Sequence, residues 1–323
     1  MNIPIFLKKI SLYSLIQSAF CFLSFSIQAK SLDSSVHKVL FLGNSITYAG
    51  NYITDIETYY FTHHPDHKIE FINLGLPSET VSGLSEPNHA NGLFSRPDLH
   101  ERLHRVLEKI KPDIVFACYG MNDGIYLPFD SIRFEKYREG MIWLHDTLLQ
   151  ATAARVIIVT PSVCDTLKLP IPFYPVVLDN YSNWLLQQKK SAGWEVADVH
   201  FPMQAYLAAH RKVDAAFHMD GFALSEDGVH PNETGHWFIA KVLLNYLGEK
   251  EVMDYANIRQ AIAFCKKGTD ILALITQKQN TMKDAWLTDT GHKRPQMNKG
   301  IPIMEARDKE MVINEKLREL IKD

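Results

Sequence analysis

The stretch Val39-Leu40-Phe41-Leu42-Gly43-Asn44-Ser45-Ile46-Thr47 sets four consecutive apolar side chains against a tight Gly-Asn-Ser corner. A short apolar run without alternation suits a strand buried on both faces, and a parallel sheet covered by helices is the arrangement that buries both. Further runs of this kind occur at Ile69–Leu74, Asp113–Tyr119, Arg155–Thr160 and Glu195–Val199. Between and after them lie amphipathic stretches read as helices over Tyr52–His63, Asp98–Ile110, Ser131–Ala153, Val176–Ser191 and Thr234–Leu247. The alternation predicts an α/β fold, a three-layer α/β/α sandwich on a mostly five-stranded parallel sheet.

Outside this region the pattern changes at both ends. Residues 1–29 carry Lys8 and Lys9, an apolar stretch from Ile10 to Ile27 and a small residue at Ala29, the layout of a secretory signal peptide. The alternative is an uncleaved anchor, since a spanning helix needs roughly 20 apolar residues. Ser11, Ser14, Gln17, Ser18, Ser24 and Ser26 speak against it, and bulky Phe20 before Cys21 against lipidation. Export to the periplasm or the medium is expected, with no stable membrane association after cleavage. Past Leu247 come helix-like segments, Val252–Gln277 and Ile303–Ile321, with the polar loop Trp286–Pro295 between them. The expected layout is a signal peptide over 1–29, an α/β domain over 30–250 and a helical extension over 251–323 packed on that domain.

Composition narrows the function classes. A chain of 323 residues that is 46% hydrophobic buries one large core. Loss of Lys8 and Lys9 makes the net charge of −3 more negative still, the opposite of a nucleic-acid-binding balance. Cys118, Cys164 and Cys265 are odd in number and lack metal-ligand spacing, so at most one disulfide can form among them.

In open parallel sheets, ligands bind beyond the carboxyl ends of the strands, so the residues at the end of each run are the first candidates for a site. After the first run comes Ser45, its hydroxyl on a tight turn; a Gly-Asn-Ser turn that merely caps a helix is the plain alternative. Gly75 ends the second run, where the missing Cβ lets a substrate oxygen approach the backbone, or where an ordinary turn needs a glycine. The third run leads into Tyr119-Gly120-Met121-Asn122-Asp123-Gly124, and the Asn122 amide is either a neutral donor aimed at an oxyanion or part of an Asx-turn. Asp227-Gly228-Val229-His230-Pro231 places a carboxylate three residues before an imidazole. One turn can fold them together, so that Asp227 accepts a hydrogen bond from the Nδ1 proton and Nε2 is left as a base. A surface pair or part of a metal site is the alternative.

Ser45, Gly75, Asn122 and His230 occur in the chain order of the SGNH/GDSL hydrolases, and the sequence from Val39 to Leu247 resembles that family. The resemblance implies a flavodoxin-like SGNH fold with Ser45 as nucleophile, His230 as base and Asp227 as orienting acid. It also implies an oxyanion hole from the backbone N–H groups of Ser45 and Gly75 and the Asn122 side chain, each donor worth about 3 kcal/mol. Such chemistry needs no cofactor and no metal. Asn44 stands where the family's name-giving motif has aspartate, which leaves the charge and hydrogen bonds of that loop open.

The expected substrate is a small-molecule or glycan ester, with a carbohydrate O-acetylesterase as the leading reading and lipase, thioesterase or arylesterase activity beside it. Ser82–Pro97 and Trp286–Pro295 are candidate pocket walls, with Asn44, His89, Arg96, Trp286, His292 and Arg294 as candidate substrate contacts; pinning the tail to the core is their other reading. Two further classes compete. His100-Glu101-Arg102-Leu103-His104 matches H-E-x-x-H, which on a helix places two imidazoles for zinc. No third ligand stands out, charged Arg102 suits a solvated face, and Leu99, Leu103, Val106, Leu107 and Ile110 make a buried stripe that leaves both histidines near the surface. A non-catalytic glycan-binding protein on a hydrolase fold is the other class, against which both Ser45 and His230 are present. As base, His230 predicts a rate that falls below about pH 6 to 7.

Overall fold

The computed structural model describes Leu32, residues 34–217 and residues 221–322. The signal-peptide assignment, Cys21 included, lies outside these residues. Five parallel strands, β1 (Lys38–Gly43), β2 (Glu70–Gly75), β3 (Ile114–Cys118), β4 (Arg155–Val159) and β5 (Glu195–Ala197), form one sheet in the order β2-β1-β3-β4-β5. Val39, Leu40, Phe41 and Leu42 on the interior strand β1 are all fully buried, as a strand covered on both faces must be. Phe41 stacks on Phe116 of β3 at 5.1 Å between ring centres, one of the contacts that knit the strands side by side.

The corner after β1 becomes a short helix α1 (Ser45–Ala49), and α2 (Asn51–His63) leads to β2. Next come α3 (Leu103–Ile110), α4 (Ser131–Ala151), α5 (Tyr174–Ser191), α6 (His200–Phe217) and α7 (Glu233–Tyr246). Right-handed crossovers put α2 on one face of the sheet and α3, α4 and α5 on the other, and α7 packs beside α2. The chain reverses direction across the sheet between β1 and β3, so the crevice beyond their carboxyl ends is the topological switch point.

The extension differs from its expected outline. In place of one segment over Val252–Gln277 there is a 3₁₀ turn at Lys250–Asp254, a short α8 (Ile258–Ala261) and then α9 (Gly268–Thr290). Trp286 therefore lies in a helix, which continues to Gly291, a residue at φ 76° that ends it. α10 (Ile303–Leu320) closes a hairpin with α9. α9 packs on α2 and on the outer strand β2, where Gln279 donates to the Phe71 carbonyl at 2.8 Å and to Glu57 Oε2 at 2.6 Å. Lys278 beside it pairs with buried Glu57, and Arg105 of α3 donates to the carbonyls of Thr290 and Gly291. Cys118, Cys164 and Cys265 are all free thiols. Among the described residues no helix is long and apolar enough to cross a membrane.

Candidate active site

Local chemistry shapes the serine corner first. Asn44 is the N-cap of α1, its Oδ1 accepting from the Ile46 N–H at 3.1 Å, and it is buried. An asparagine oxygen caps a helix as an aspartate would, so the Asn44 departure keeps the turn; the same burial removes Asn44 as a substrate contact. Ser45 opens the helix, and its backbone N–H lies outside the helix's own hydrogen bonds.

The second element is the loop before α7. Asp227 Oδ1 accepts from the N–H groups of Val229 (2.9 Å) and His230 (2.7 Å), which folds the segment back on itself. Gly228 between them has φ 84°, and a Cβ there would sit 2.6 Å from Leu169 Cβ. The Asp165 N–H anchors the loop from outside by donating to the Gly228 carbonyl at 2.8 Å. Asp227 Oδ2 is left facing His230 Nδ1 at 2.6 Å, and His230 Nε2 lies 2.8 Å from Ser45 Oγ. Ser45 and His230 are 185 residues apart in sequence, so this contact is the work of the fold. Burial tends to raise the Asp227 carboxyl, but the hydrogen bonds from the His230 ring and from the two backbone N–H groups hold it below its ordinary value. The carboxylate therefore stays ionised opposite Nδ1.

Rival nucleophiles are silent. Burial pushes the Cys118 thiol up to about 12, and burial together with the Asp165 and Asp227 charges pushes Cys164 up to about 11. His236, stacked on Tyr52, is pushed down to about 4 by burial and then by His230, so it stays neutral behind the site.

On the oxyanion side, the expected donors Asn122 and Gly75 differ in what they have left to offer. Asn122 is buried, with Nδ2 donating to the Glu79 carbonyl at 3.1 Å; an amide carries a second N–H for another acceptor. The Gly75 N–H is already committed to Asn73 Oδ1 at 3.0 Å. Glycine is needed there because α1 crosses β2 so closely that a Cβ would meet the Tyr48 nitrogen at 2.2 Å. The sequence reading missed Ser78 three residues on. Glu79 N donates to the Leu76 carbonyl at 3.1 Å, closing a turn with Pro77 in its second position and Ser78 in its third at φ 67°. This is type II geometry, normally served by glycine at the third position. Among the described residues the Ser78 N–H has no partner. The proline was the available signal.

Most of the expected substrate contacts are structural. Arg96 is buried and forked onto Glu86, with its guanidinium over the Tyr126 ring; Tyr126 in turn donates to Asn122 Oδ1 at 3.4 Å. His89 Nδ1 lies 3.1 Å from Glu86 Oε1, and Trp286 is buried under Arg307. His292 and Arg294 remain half-buried, with Arg294 over Phe94 at 5.1 Å. The two expected walls thus meet at Phe94 and Arg294, and the tail is also pinned to α3.

The H-E-x-x-H segment does not form one helix. Leu99–Glu101 is a 3₁₀ turn and α3 starts at Leu103, so the histidines stand on different elements. Both are exposed, His100 stacked on Trp143 with Nδ1 2.6 Å from Asp98, and Glu101 is engaged by Arg105. Arg102 is not on a solvated face: it is fully buried and paired with Glu79. Among the described residues no three His, Cys, Asp or Glu side chains are grouped to hold a metal.

Comparison with known proteins bears on this arrangement. No curated protein sequence matches the chain. Solved structures do, at the level of fold. A gut microbial diltiazem-metabolizing enzyme superposes with a TM-score of 0.55 at 20% identity, over 68% of this chain and 49% of its own, so this chain spans about half its length. Axe2, an acetylxylan esterase from Geobacillus stearothermophilus, superposes with a TM-score of 0.50 at 21% identity over 69% of this chain and 97% of its own. The model of the GDSL-like Lipase/Acylhydrolase family matches residues 41–238, more than half of the sequence and every residue from Ser45 to His230 discussed above. The chain belongs to the GDSL-like lipase/acylhydrolase family, the serine hydrolases of ester bonds.

Proposed function

We propose that the protein cleaves carboxylic esters through an acyl-enzyme on Ser45, and that its substrate is an O-acetylated carbohydrate met after export. The observation that carries the reaction is the continuous Ser45 Oγ, His230 Nε2, Nδ1 and Asp227 Oδ2 line, with contacts of 2.8 and 2.6 Å. His230 Nε2 takes the Ser45 proton as Oγ bonds to the acyl carbon. The proton then passes to the departing alcohol oxygen as the ester C–O bond breaks. Water repeats the sequence, losing its proton to His230, and the carboxylic acid leaves with Ser45 restored. Negative charge on the tetrahedral oxygen is met by the Ser45 N–H, the second Asn122 N–H and the Ser78 N–H, which takes the place first expected for Gly75.

The acetylated-carbohydrate reading draws support from Axe2, whose fold this chain shares, and from the wall at Phe94 and Arg294. The Lys8 to Ala29 segment supports export. The test compares wild type with Ser45→Ala on acetylated xylo-oligosaccharides and on short p-nitrophenyl esters, with and without a chelator. Wild type is expected to release acetate from both substrates regardless of chelator, and Ser45→Ala from neither. Chelator-sensitive activity that survives Ser45→Ala would sink the serine mechanism. Turnover of the p-nitrophenyl ester alone would remove the carbohydrate assignment.

A further inference from the structure

A buried ion pair lies between the oxyanion loops, and the triad chemistry does not use it. Arg102 is 1% exposed and Glu79 0%. Arg102 Nε donates to Glu79 Oε1 at 2.6 Å and Nη2 to Oε2 at 2.7 Å, a forked contact that lysine cannot reproduce. Burial works against both charges. For Arg102 the facing carboxylate more than offsets it and holds the guanidinium protonated, whereas burial still pushes the Glu79 carboxyl upward against the pull of Arg102 and Tyr119. Packed apolar residues of similar volume serve stability as well as a buried pair does, or better. Stability alone does not explain these two residues.

What the pair does is join backbone segments. Arg102 Nη2 also donates to the Leu74 carbonyl at 2.8 Å, and Tyr119 Oη donates to Glu79 Oε2 at 2.7 Å. The Glu79 carbonyl in turn accepts from Asn122 Nδ2. Leu74 and Glu79 bracket the turn that carries Ser78, while Tyr119 and Asn122 belong to the loop after β3. A second strut runs parallel: the Asp123 carboxylate accepts from the N–H groups of Val81, Ser82 and Gly120 at 2.8 to 2.9 Å. The two loops therefore cannot shift independently of each other.

We propose that Arg102 and Glu79 are positioning residues for the oxyanion hole, fixing the Ser78 turn and the Asn122 amide at the spacing the tetrahedral oxygen requires. This rests on the serine-esterase reading. Pre-set donors gain their effect from not having to reorganise during the reaction, and misplacement by about 1 Å can cost on the order of 10²-fold.

Three variants test it: Tyr119→Phe, which removes one hydrogen bond at nearly constant volume; Arg102→Lys, which keeps the charge and loses the fork; and the double variant Arg102→Met with Glu79→Leu, which removes both charges together. Each is assayed for kcat and KM on p-nitrophenyl acetate, for thermal unfolding, and for binding of phenylboronic acid, which forms a tetrahedral adduct on the serine. Expected is a kcat loss of about 10-fold in Tyr119→Phe and about 100-fold in the other two, with KM within about twofold. Boronate affinity should fall in step with kcat, which a purely structural role would not produce in a variant whose unfolding temperature is unmoved. A kcat within about threefold of wild type in folded Tyr119→Phe overturns the inference, whether or not the double variant folds. Ser45→Ala is measured alongside. If it is dead while the pair variants are normal, the inference fails and the esterase reading stands; if it is active, both fail.

Discussion

Replacing Asp227 by asparagine isolates what the carboxylate does for the base. Asp227 Oδ1 is occupied by the Val229 and His230 N–H groups, and Oδ2 faces His230 Nδ1 at 2.6 Å. Asparagine keeps the loop contacts through its carbonyl oxygen and puts an NH₂ where Oδ2 stood. Nδ1 must then accept, so the ring proton moves to Nε2 and the nitrogen facing Ser45 becomes a donor. At the 2.6 Å contact distance, a carboxylate and a forming imidazolium attract by about 6 kcal/mol at an effective dielectric of 20 and about 1.6 kcal/mol in water. The His230 and Asp227 side chains are 49% and 56% exposed, which moves the value toward the water limit. A lost attraction of about 3 kcal/mol is about 10²-fold in rate, and the wrong tautomer brings the expected kcat loss to about 10³-fold. The assay is kcat at saturating p-nitrophenyl acetate, with circular dichroism verifying the fold. A folded Asp227→Asn enzyme within about tenfold of wild type would refute the assignment of Asp227 as orienting acid.

Two further predictions concern stability. Burial, and after it the Glu233 charge, pushes the Asp55 carboxyl up to about 8, whereas in an unfolded chain an aspartate titrates at about 3.9. Between those values the native state binds more protons than the unfolded one, so this residue lowers stability as pH rises. The thermal midpoint of Asp55→Asn should exceed that of wild type by a margin that widens from about pH 5 to about pH 8; a constant or shrinking margin contradicts the burial argument. Lys278→Met leaves Glu57 buried without its cation, at an expected cost of about 3 to 5 kcal/mol in urea unfolding. A loss below about 1 kcal/mol would mean that Gln279 alone satisfies the carboxylate.

The strands were readable because each is a short apolar run that ends in a polar or small residue. Val39–Leu42 as read and Lys38–Gly43 as found differ by one residue at each end. Helix α6 was not among the helices read from the sequence; its Pro202 lies in the first turn, where proline is tolerated. Asn122, Asp227 and His230 were legible because they sit at strand ends and at a fixed local spacing. Ser78 was not, since a serine at positive φ has no local signature and only the neighbouring Pro77 hinted at the turn. Arg102 was misread for a different reason. Its partner Glu79 is 23 residues away, and a charge on an amphipathic helix looks solvated until the fold supplies the counter-charge.

The sheet has two flanks, and they are treated differently. β5 is only three residues long and offers little ladder to a second chain. β2 is six residues long and lies at the outer edge of the sheet, the kind of strand that can recruit a neighbour's strand. Its outward-facing Phe71 carbonyl is taken by Gln279, a side chain 208 positions further on. The family-matched segment stops at residue 238, so the group that blocks this flank comes from outside it. The extension therefore covers the outer flank of the sheet at Phe71, a position where a bare edge strand would offer its carbonyl to a second chain.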